Sequence, residues 1–420
     1  MDTKNSSAST QTPTPGVLSQ PQSQQHDYSY YKRIFAGYPM PFAYLDLDLL
    51  THNIQQVATS AGAKRVRIAS KSVRSVAILK RLLAADERFQ GIMCFTVREA
   101  VYLASHGFKD LLLGYPVWHD IPVAAEAIAA GAQITLMIDS VDHVRQIEQV
   151  AQQHEVTIPV CLDLDMALDL PGLHFGVWRS PLRTVAQVSP VIESIIAAPH
   201  ILLDGIMGYE AQIAGLGDHY PHQTVKNTLV RNLKKRSLLQ VAQRRAAVIE
   251  LLASYNLTPR FVNGGGTGSL LTTRNEPGVT EITAGSGFYA PALFDNYQDF
   301  RYQPAAGFAI EIVRQAKVSN PPIYTCLGGG YVASGATNND KLPRPYLPEG
   351  ARLIPLEGAG EVQTPISYRG PHTLAPGDPI FLRHSKAGEL CERFTHLLLV
   401  SNGEIVDTVT TYRGDGQCFL

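Results

Sequence analysis

The sequence predicts an α/β fold, a (β/α)8 TIM barrel followed by a mostly β C-terminal domain. Three observations carry that expectation. Between about Pro41 and Ala290, apolar strand-like segments alternate with helical ones over short connections. Several of those segments, LLLGYPV and ITLMI among them, are continuous apolar runs, as in parallel strands covered on both faces. Beyond about Phe300 the helical period stops, and short β-like segments separated by Gly and Pro turns take over. A doubly wound open sheet is the structural alternative, but eight strand signals after the first imply closure into a barrel.

Taken in order, residues 1 to about 30 are Ser, Thr, Gln and Pro with few large apolar side chains, and are expected to form a disordered tail. They lack the apolar core of a signal peptide and the arginines of a mitochondrial presequence. The barrel is expected over 31–300 and the β domain over 301–420. PFAYLDLDLL precedes the helical THNIQQVATSAGA, RVRIASKS precedes VAILKRLLAAD, GIMCFTV precedes REAVYLASHG, and DLLLGYPV precedes DIPVAAEAIAAGA. QITLMIDS, VTIPVCLDLDM and ILLDGIMGYE each lead into a further helix, the last running from about Val225 to Tyr255. RFVNGGGTGS and TEITAGSGFYA complete the series. PFAYLDLDLL is expected to pair with the C-terminal domain, since the ends of a barrel carrying a second domain leave from the same region.

Composition narrows the function. With 36 basic and 37 acidic residues the formal charge is −1, so no global field recommends nucleic acid or an anionic membrane as partner. RNLKKR, inside the long helix, is accordingly taken as a solvated face. Five cysteines without CxxC spacing suggest neither a disulfide framework nor a cysteine zinc cluster, and fit a reducing cytoplasm. No apolar run reaches the roughly 18 residues of a membrane span. Chemistry on a small molecule remains.

The stretch that directs this chemistry is KRVRIASKSVRS, Lys64 to Ser75. On a strand, Arg67 and Lys71 share one face while Val66 and Ile68 take the other, against the helices. Lys71 then falls at the strand's C-terminal end, where barrels of this kind collect their chemistry. Packed neighbours would desolvate it, lower its pKa and make it a Schiff-base former. Two glycine-rich stretches, Asn263 to Ser269 and Ala284 to Gly287, end the last two barrel strands. Their N–H groups, with the Thr267 and Ser286 hydroxyls, are suited to cup a phosphate dianion. A lysine with two such loops describes a pyridoxal phosphate site. GGGTGS opens no GxGxxG helix in an early βαβ unit, so a dinucleotide is disfavoured.

RIASKSVR, TVREAVYLASHGFKDLLLGYP, GIMGYEAQIAG, NGGGTGS and ITAGSGFYAPALFD, in this order, resemble the D-threonine aldolase and D-serine dehydratase branch of the alanine-racemase-type pyridoxal phosphate enzymes. The resemblance covers about Pro41 to Val400 and implies a barrel with a β domain, a site shared between two subunits of a homodimer, and an amino acid substrate. Carried over by motif, Lys71 is the Schiff-base lysine, and Gly265, Gly266, Thr267, Gly285 and Ser286 hold the phosphate. Arg67 matches an arginine four residues before the family lysine, expected near the cofactor phenolate oxygen, and Tyr209 matches an aromatic beside the cofactor.

Departures from the family are as informative. Where many relatives have an arginine before Gly-Val, DLPGLHFGV has His174, so that cofactor contact is either altered or supplied by Arg179 or Arg183. Where relatives carry a His-x-Cys or His-x-Asp metal pair, FLRHSKAGELCERF has His384 but Lys386 in the second position. A protonated lysine cannot ligate a divalent metal, and its charge can stand where the cation would polarise a substrate hydroxyl. His384 with Cys391 or Glu389 is the alternative metal set. The expected activity is therefore a lyase, aldolase or dehydratase, on β-hydroxy D-amino acids, with His384 and Lys386 contacting the β-hydroxyl. A racemase on the same fold is the alternative. A non-catalytic pyridoxal phosphate carrier is another, against which the large β domain argues.

Overall fold

The computed structural model describes residues 26–318, 320–336 and 338–420. Helix α1 (Tyr28–Ile34) and strand β1 (Phe42–Asp46) lead into α2 (Leu47–Ala61). The barrel follows as β2 (Arg65–Ala69), β3 (Phe89–Cys94), β4 (Leu111–Pro116), β5 (Ile134–Ile138) and β6 (Ile158–Asp165). A hairpin, β7 (Leu168–Leu170) with β8 (Leu173–Phe175), precedes β9 (Ile201–Tyr209), β10 (Phe261–Gly264) and β11 (Glu281–Ala284). Strands β2 to β6 and β9 to β11 are parallel to their neighbours and close into an eight-stranded barrel through β11 and β2. The expected closure is observed, and so are the crossover helices, including the long helix Thr224–Ser254.

Local chemistry sets the strand-to-helix turns. Asp46 ends β1 and caps α2, its carboxylate accepting from the Asp48 and Leu49 N–H groups at 3.0 Å. Thr96 caps α4 (Val97–Ser105), the helix that follows α3 (Val76–Ala85), by accepting from Glu99 N–H. On β2, Val66 and Ile68 are buried against the helices, as their parity requires, and Arg67 points inward. Inside the barrel, Leu112, Met137, Cys161, Met207 and Phe261 form a separate apolar layer.

The second domain is a sheet in the order β15-β16-β13-β12-β1-β18-β19, with β17 joined to β12 and β14. Its strands are β12 (Ala306–Lys317), β13 (Ile323–Leu327), β14 (Arg344–Leu347), β15 (Ala351–Leu353), β16 (Gln363–Tyr368), β17 (Pro379–Arg383), β18 (His396–Ser401) and β19 (Glu404–Thr410). Strand β1 is antiparallel to β12 and parallel to β18, which is the pairing expected for PFAYLDLDLL. The first strand of the 31–300 stretch therefore lies in the C-terminal sheet, as that pairing implies. Residues 26–30, expected within the tail, are packed against this sheet. Tyr28, Tyr30 and Tyr31 are buried, and Tyr31 packs within 5.1 Å of Tyr44 and 5.8 Å of Phe381, ring centre to ring centre. Aromatic burial therefore orders the chain from His26, whose ring meets Asp46 at 2.8 Å. The remainder of the expected tail, residues 1–25, lies outside the described residues.

The domains are joined chiefly where β2 ends. Tyr412 N–H donates to the Arg74 carbonyl at 2.9 Å, Ser75 Oγ donates to the Thr410 carbonyl at 2.7 Å, and the Arg74 guanidinium meets Glu392 at 2.6 Å. Tyr412 Oη also donates to the buried carboxyl of Glu99 at 2.9 Å. Burial pushes that carboxyl up from 4.5 to about 7, although Phe95 N–H and Tyr412 act against the shift. The folded chain thus holds this proton more tightly than the unfolded chain does. The associated stability is complete below pH 4.5 and lost as pH rises through about 7. Glu99→Gln keeps an acceptor for Tyr412 but has no proton to lose. In urea titrations across this window, wild-type stability should decline relative to the variant, and a gap independent of pH would contradict the assignment.

Candidate active site

A cavity of about 530 Å³ opens at the C-terminal end of the barrel, where the β domain overhangs it. Strand β2 stops at Ala69 and the chain turns through a single 3-10 turn, Ser70–Ser72, held by Ser70 Oγ on the Met93 carbonyl at 2.9 Å. This turn, rather than strand parity, presents Lys71 to the cavity. The side chain is exposed there, so the expected desolvation by packed neighbours is absent. Its backbone is held firmly. The Lys71 carbonyl accepts from Arg74 Nε at 2.9 Å and from Gly388 N–H at 3.2 Å, and Arg74 itself adopts a left-handed φ of 50°.

Gly265, Gly266, Thr267, Gly285 and Ser286 all line the same cavity. A Cβ on Gly285 would come within 2.8 Å of Ser72 Oγ, and one on Gly266 within 2.9 Å of Ala214 Cβ. Gly265 has φ of +73°. These backbones have no room for side chains, and the two loops are tied together by Thr267 Oγ1, which accepts from Gly285 and Gly287 N–H at 3.4 and 3.3 Å. Behind them the buried carboxylate of Glu210 accepts from Gly265 N–H at 3.0 Å, Ser269 Oγ at 3.2 Å and Thr273 Oγ1. Arg245, equally buried, neutralises it at 2.9 Å. Sequence reasoning missed this support, although Glu210 directly follows the strand carrying Tyr209. Tyr209 itself lines the cavity, and burial pushes its hydroxyl up to about 12.

Arg67 is elsewhere. Its guanidinium is fully buried near the N-terminal end of the barrel, bound to Glu281 at 2.7 Å and Asp110 at 3.1 Å and stacked 5.1 Å from the Phe261 ring centre. Asp110 continues to Arg260 and Arg260 to Asp204, so Arg67 belongs to an ion network beneath the cavity. Inward parity was correct, but the side chain runs towards the closed end. His174 also stays outside, hydrogen-bonded to Asp169 at 2.6 Å and stacked on Trp178 at 3.8 Å. Of the two replacement arginines, Arg183 pairs with Asp165 and Asp169, while Arg179 lines the cavity, pairs with Asp163 at 2.7 Å and donates to the Gly114 carbonyl.

The β domain contributes Ser334, Lys386, Ala387 and Glu389 to the lining. Lys386 Nζ donates to both the carbonyl and hydroxyl of Ser334 at 3.1 Å, and burial together with the Lys341 and Lys71 charges draws its pKa down against the pull of Glu389. His384 does not reach the cavity. It is fully buried, neither ring nitrogen has a hydrogen-bond partner, and burial followed by Arg383 draws its pKa down to about 3. Both β-hydroxyl contacts were expected from one motif. Of the two, only Lys386 lines the cavity.

A profile of the alanine racemase N-terminal domain matches residues 45–291, the whole barrel. The chain belongs to the alanine racemase N-terminal domain family. Within known proteins it is 25% identical over 263 residues to a 3-hydroxy-D-aspartate aldolase of Paracoccus denitrificans, 62% of each chain. It is 25% identical over 247 residues to a D-threonine aldolase of an Arthrobacter species, covering 58% of this chain and 59% of the relative. The match thus spans about three-fifths of the length of these curated relatives. Among solved structures, the D-threonine aldolase of Filomicrobium marinum superposes with a TM-score of 0.73 at 18% identity, covering 90% of this chain and 95% of that one. The D-threo-3-hydroxyaspartate dehydratase of Delftia sp. HT23 gives a TM-score of 0.69 at 18% identity, covering 89% and 98%. The β domain therefore shares its fold with these proteins as well.

The cavity residues fit pyridoxal phosphate. A side-chain-free cradle with two hydroxyl donors faces a lysine whose position is set by backbone hydrogen bonds. The expected metal pair is not assembled in the cavity: His384 and Cys391 are buried outside its lining, and Glu389, which lines it, accepts from Ser334 N–H at 3.0 Å. Among the described residues no three His, Cys, Asp or Glu side chains stand together as a ligand set. Cys391 is buried with its thiol on the Val73 carbonyl at 3.3 Å, and burial pushes it up to about 12, away from thiolate. The cofactor fit is tested by incubating with pyridoxal phosphate and reducing with borohydride. Wild type should keep the label on the Lys71 peptide. Lys71→Ala should lose it with an unchanged melting temperature, and a label surviving on another lysine would refute the assignment.

Proposed function

We propose that the protein is a pyridoxal phosphate-dependent lyase acting on β-hydroxy D-amino acids, as an aldolase or dehydratase. The observation that carries this reading is that Lys386, bonded to Ser334, lines the same cavity as Lys71. When bound, pyridoxal phosphate would supply the conjugation that stabilises an electron pair at the substrate Cα. The protein's part is to bind and orient. Thr267 and Ser286, with the glycine loops, would hold the phosphate, and Glu210 keeps those loops in shape without a substrate present. Arg179 adds a fixed positive charge beside Tyr115, 4.9 Å from its ring centre. Lys71 is exposed to the cavity and can exchange protons with a bound amino acid. Lys386 can donate a hydrogen bond to the β-hydroxyl, with Ser334 steadying the ammonium. Assistance to that hydroxyl serves departure as water in dehydration and carbonyl formation in aldol cleavage alike.

The named relatives support the substrate class, since they comprise a 3-hydroxy-D-aspartate aldolase, a D-threonine aldolase and a D-threo-3-hydroxyaspartate dehydratase. A cytoplasmic homodimer belongs to the same proposal. Cysteines that are all free, four of the five buried, suit a reducing compartment. The reading is tested by supplying the loaded enzyme with D- and L-isomers of threonine, serine and 3-hydroxyaspartate. Glycine with an aldehyde, or ammonia with an oxo acid, should form from D-isomers. Racemisation alone, or no turnover of any isomer, would overturn it.

The proposal extends to catalysis without a divalent cation. A variant of the solved dehydratase is described as a metal-free form, so the question arises here too. A lysine ammonium about 4 Å from a divalent ion would repel it by several kcal/mol at an effective dielectric near 20. Lys386 occupies the sequence position where the resemblance implies a ligand, and its own charge can act on the hydroxyl. Lys386→Met should reduce turnover at least a hundredfold while pyridoxal phosphate still binds. Chelator should leave wild type unaffected. Inactivation by chelator with recovery on added zinc or manganese would show that a metal is required.

A further inference from the structure

We propose that Tyr115 is the proton-transfer partner of Lys71 at the substrate Cα, a role that rests on the lyase reading above. Tyr115 lies at the C-terminal end of β4, where the β4–β5 register shifts between Leu112 and Pro116. Beside it the Gly114 carbonyl accepts from the Arg179 guanidinium. Arg179 is in turn fixed from below by Asp163 at 2.7 Å. The phenol ring is consequently held between two cations, Arg179 Cζ 4.9 Å and Lys71 Nζ 6.0 Å from its centre. Its side chain is 43% exposed, and it opens into the cavity rather than into the core.

Comparison of the cavity tyrosines selects this one. Tyr209, Tyr220 and Tyr297 also line the cavity, and burial raises the pKa of each. Tyr115 alone among them is lowered, first by the Lys71 charge and then, against burial, by Arg179. Lys386 and Tyr209 also face it through space, the first cationic and the second held protonated. A phenol in this setting exchanges its proton near neutral pH more readily than its neighbours can.

The chemistry needs such a group. In aldol cleavage the β-hydroxyl gives up its proton, Cβ becomes a carbonyl carbon, and the Cα–Cβ electron pair stays with Cα. Cα must then receive a proton to leave as glycine. The reverse step is measurable by itself. A Cα–H bond of glycine breaks, its proton passes to the Tyr115 phenolate oxygen, the pair stays on the substrate, and a solvent-derived proton returns from the phenol.

Two measurements test this role. In the cofactor-free protein, near-ultraviolet phenolate absorbance followed against pH should show one tyrosine ionising ahead of the rest. Tyr115→Phe should remove that phase, and Arg179→Met should move it to higher pH. In the loaded enzyme, exchange of the glycine Cα proton in D2O, followed by NMR, should fall roughly a hundredfold in Tyr115→Phe. Pyridoxal phosphate affinity and melting temperature should not change. In Arg179→Met, exchange should recover as pH is raised. Exchange at the wild-type rate in Tyr115→Phe, or an early phenolate that persists in it, would overturn the role. Absence of exchange in the loaded wild type would instead defeat the lyase reading, and this role with it.

Discussion

One backbone oxygen organises this molecule. The Lys71 carbonyl accepts from Arg74 Nε and from Gly388 N–H, and each donor is anchored in the β domain, Arg74 through Glu392 and Gly388 by its own chain. Fixing that carbonyl fixes the turn from which the Lys71 side chain leaves. The same loop of the β domain continues on both sides to Lys386 and Glu389, which line the cavity. A Cβ on Gly388 would meet the Lys71 carbonyl at 2.8 Å, so the close approach of the two domains requires a glycine there. The turn carrying Lys71 and the β-domain loop carrying Lys386 are thus held directly against each other.

Charge is arranged on the same plan. Arg67, Arg74, Arg179 and Arg245 are each buried or nearly so, and each is matched to a carboxylate. A buried guanidinium without its partner would cost several kcal/mol, so these arginines serve as fixed struts. Lys71 and Lys386 make no ion pair among the described residues, and both face the cavity. The paired arginines are held in fixed positions, while Lys71 and Lys386 line the cavity without a carboxylate partner among the described residues. Glu210 shows the same principle in reverse, an anion placed behind a loop suited to a phosphate and acceptable there because Arg245 neutralises it.

Much of the architecture was legible in the residues. Barrel strands buried on both faces are continuous apolar runs, and their alternation with amphipathic helices survives in the sequence as a local pattern. The glycine loops were legible for the same reason. A position that excludes Cβ admits little besides glycine, and two such positions after the last two strands leave a plain signature. The inward parity of Arg67 and the pairing of β1 with the C-terminal sheet followed from equally simple rules.

What the sequence by itself determined, then, is which residues stand at strand ends and which faces they share. Tertiary structure decided how far along the barrel each side chain points and what it meets. Arg67 and Lys71 have one parity, yet the strand ends between them: Arg67 leaves mid-strand towards Asp110 and Glu281, and Lys71 leaves the following turn into the cavity. His384 and Lys386 stand two residues apart in one motif, yet the imidazole is fully buried while the ammonium lines the cavity. Tyr115 carried no signal beyond its place at the end of an apolar run. Its chemical character comes from Lys71 and Arg179, which lie 44 and 64 residues away and become its neighbours only when the barrel closes. Periodicity is a property of neighbours in the chain, whereas electrostatic environment is a property of neighbours in space.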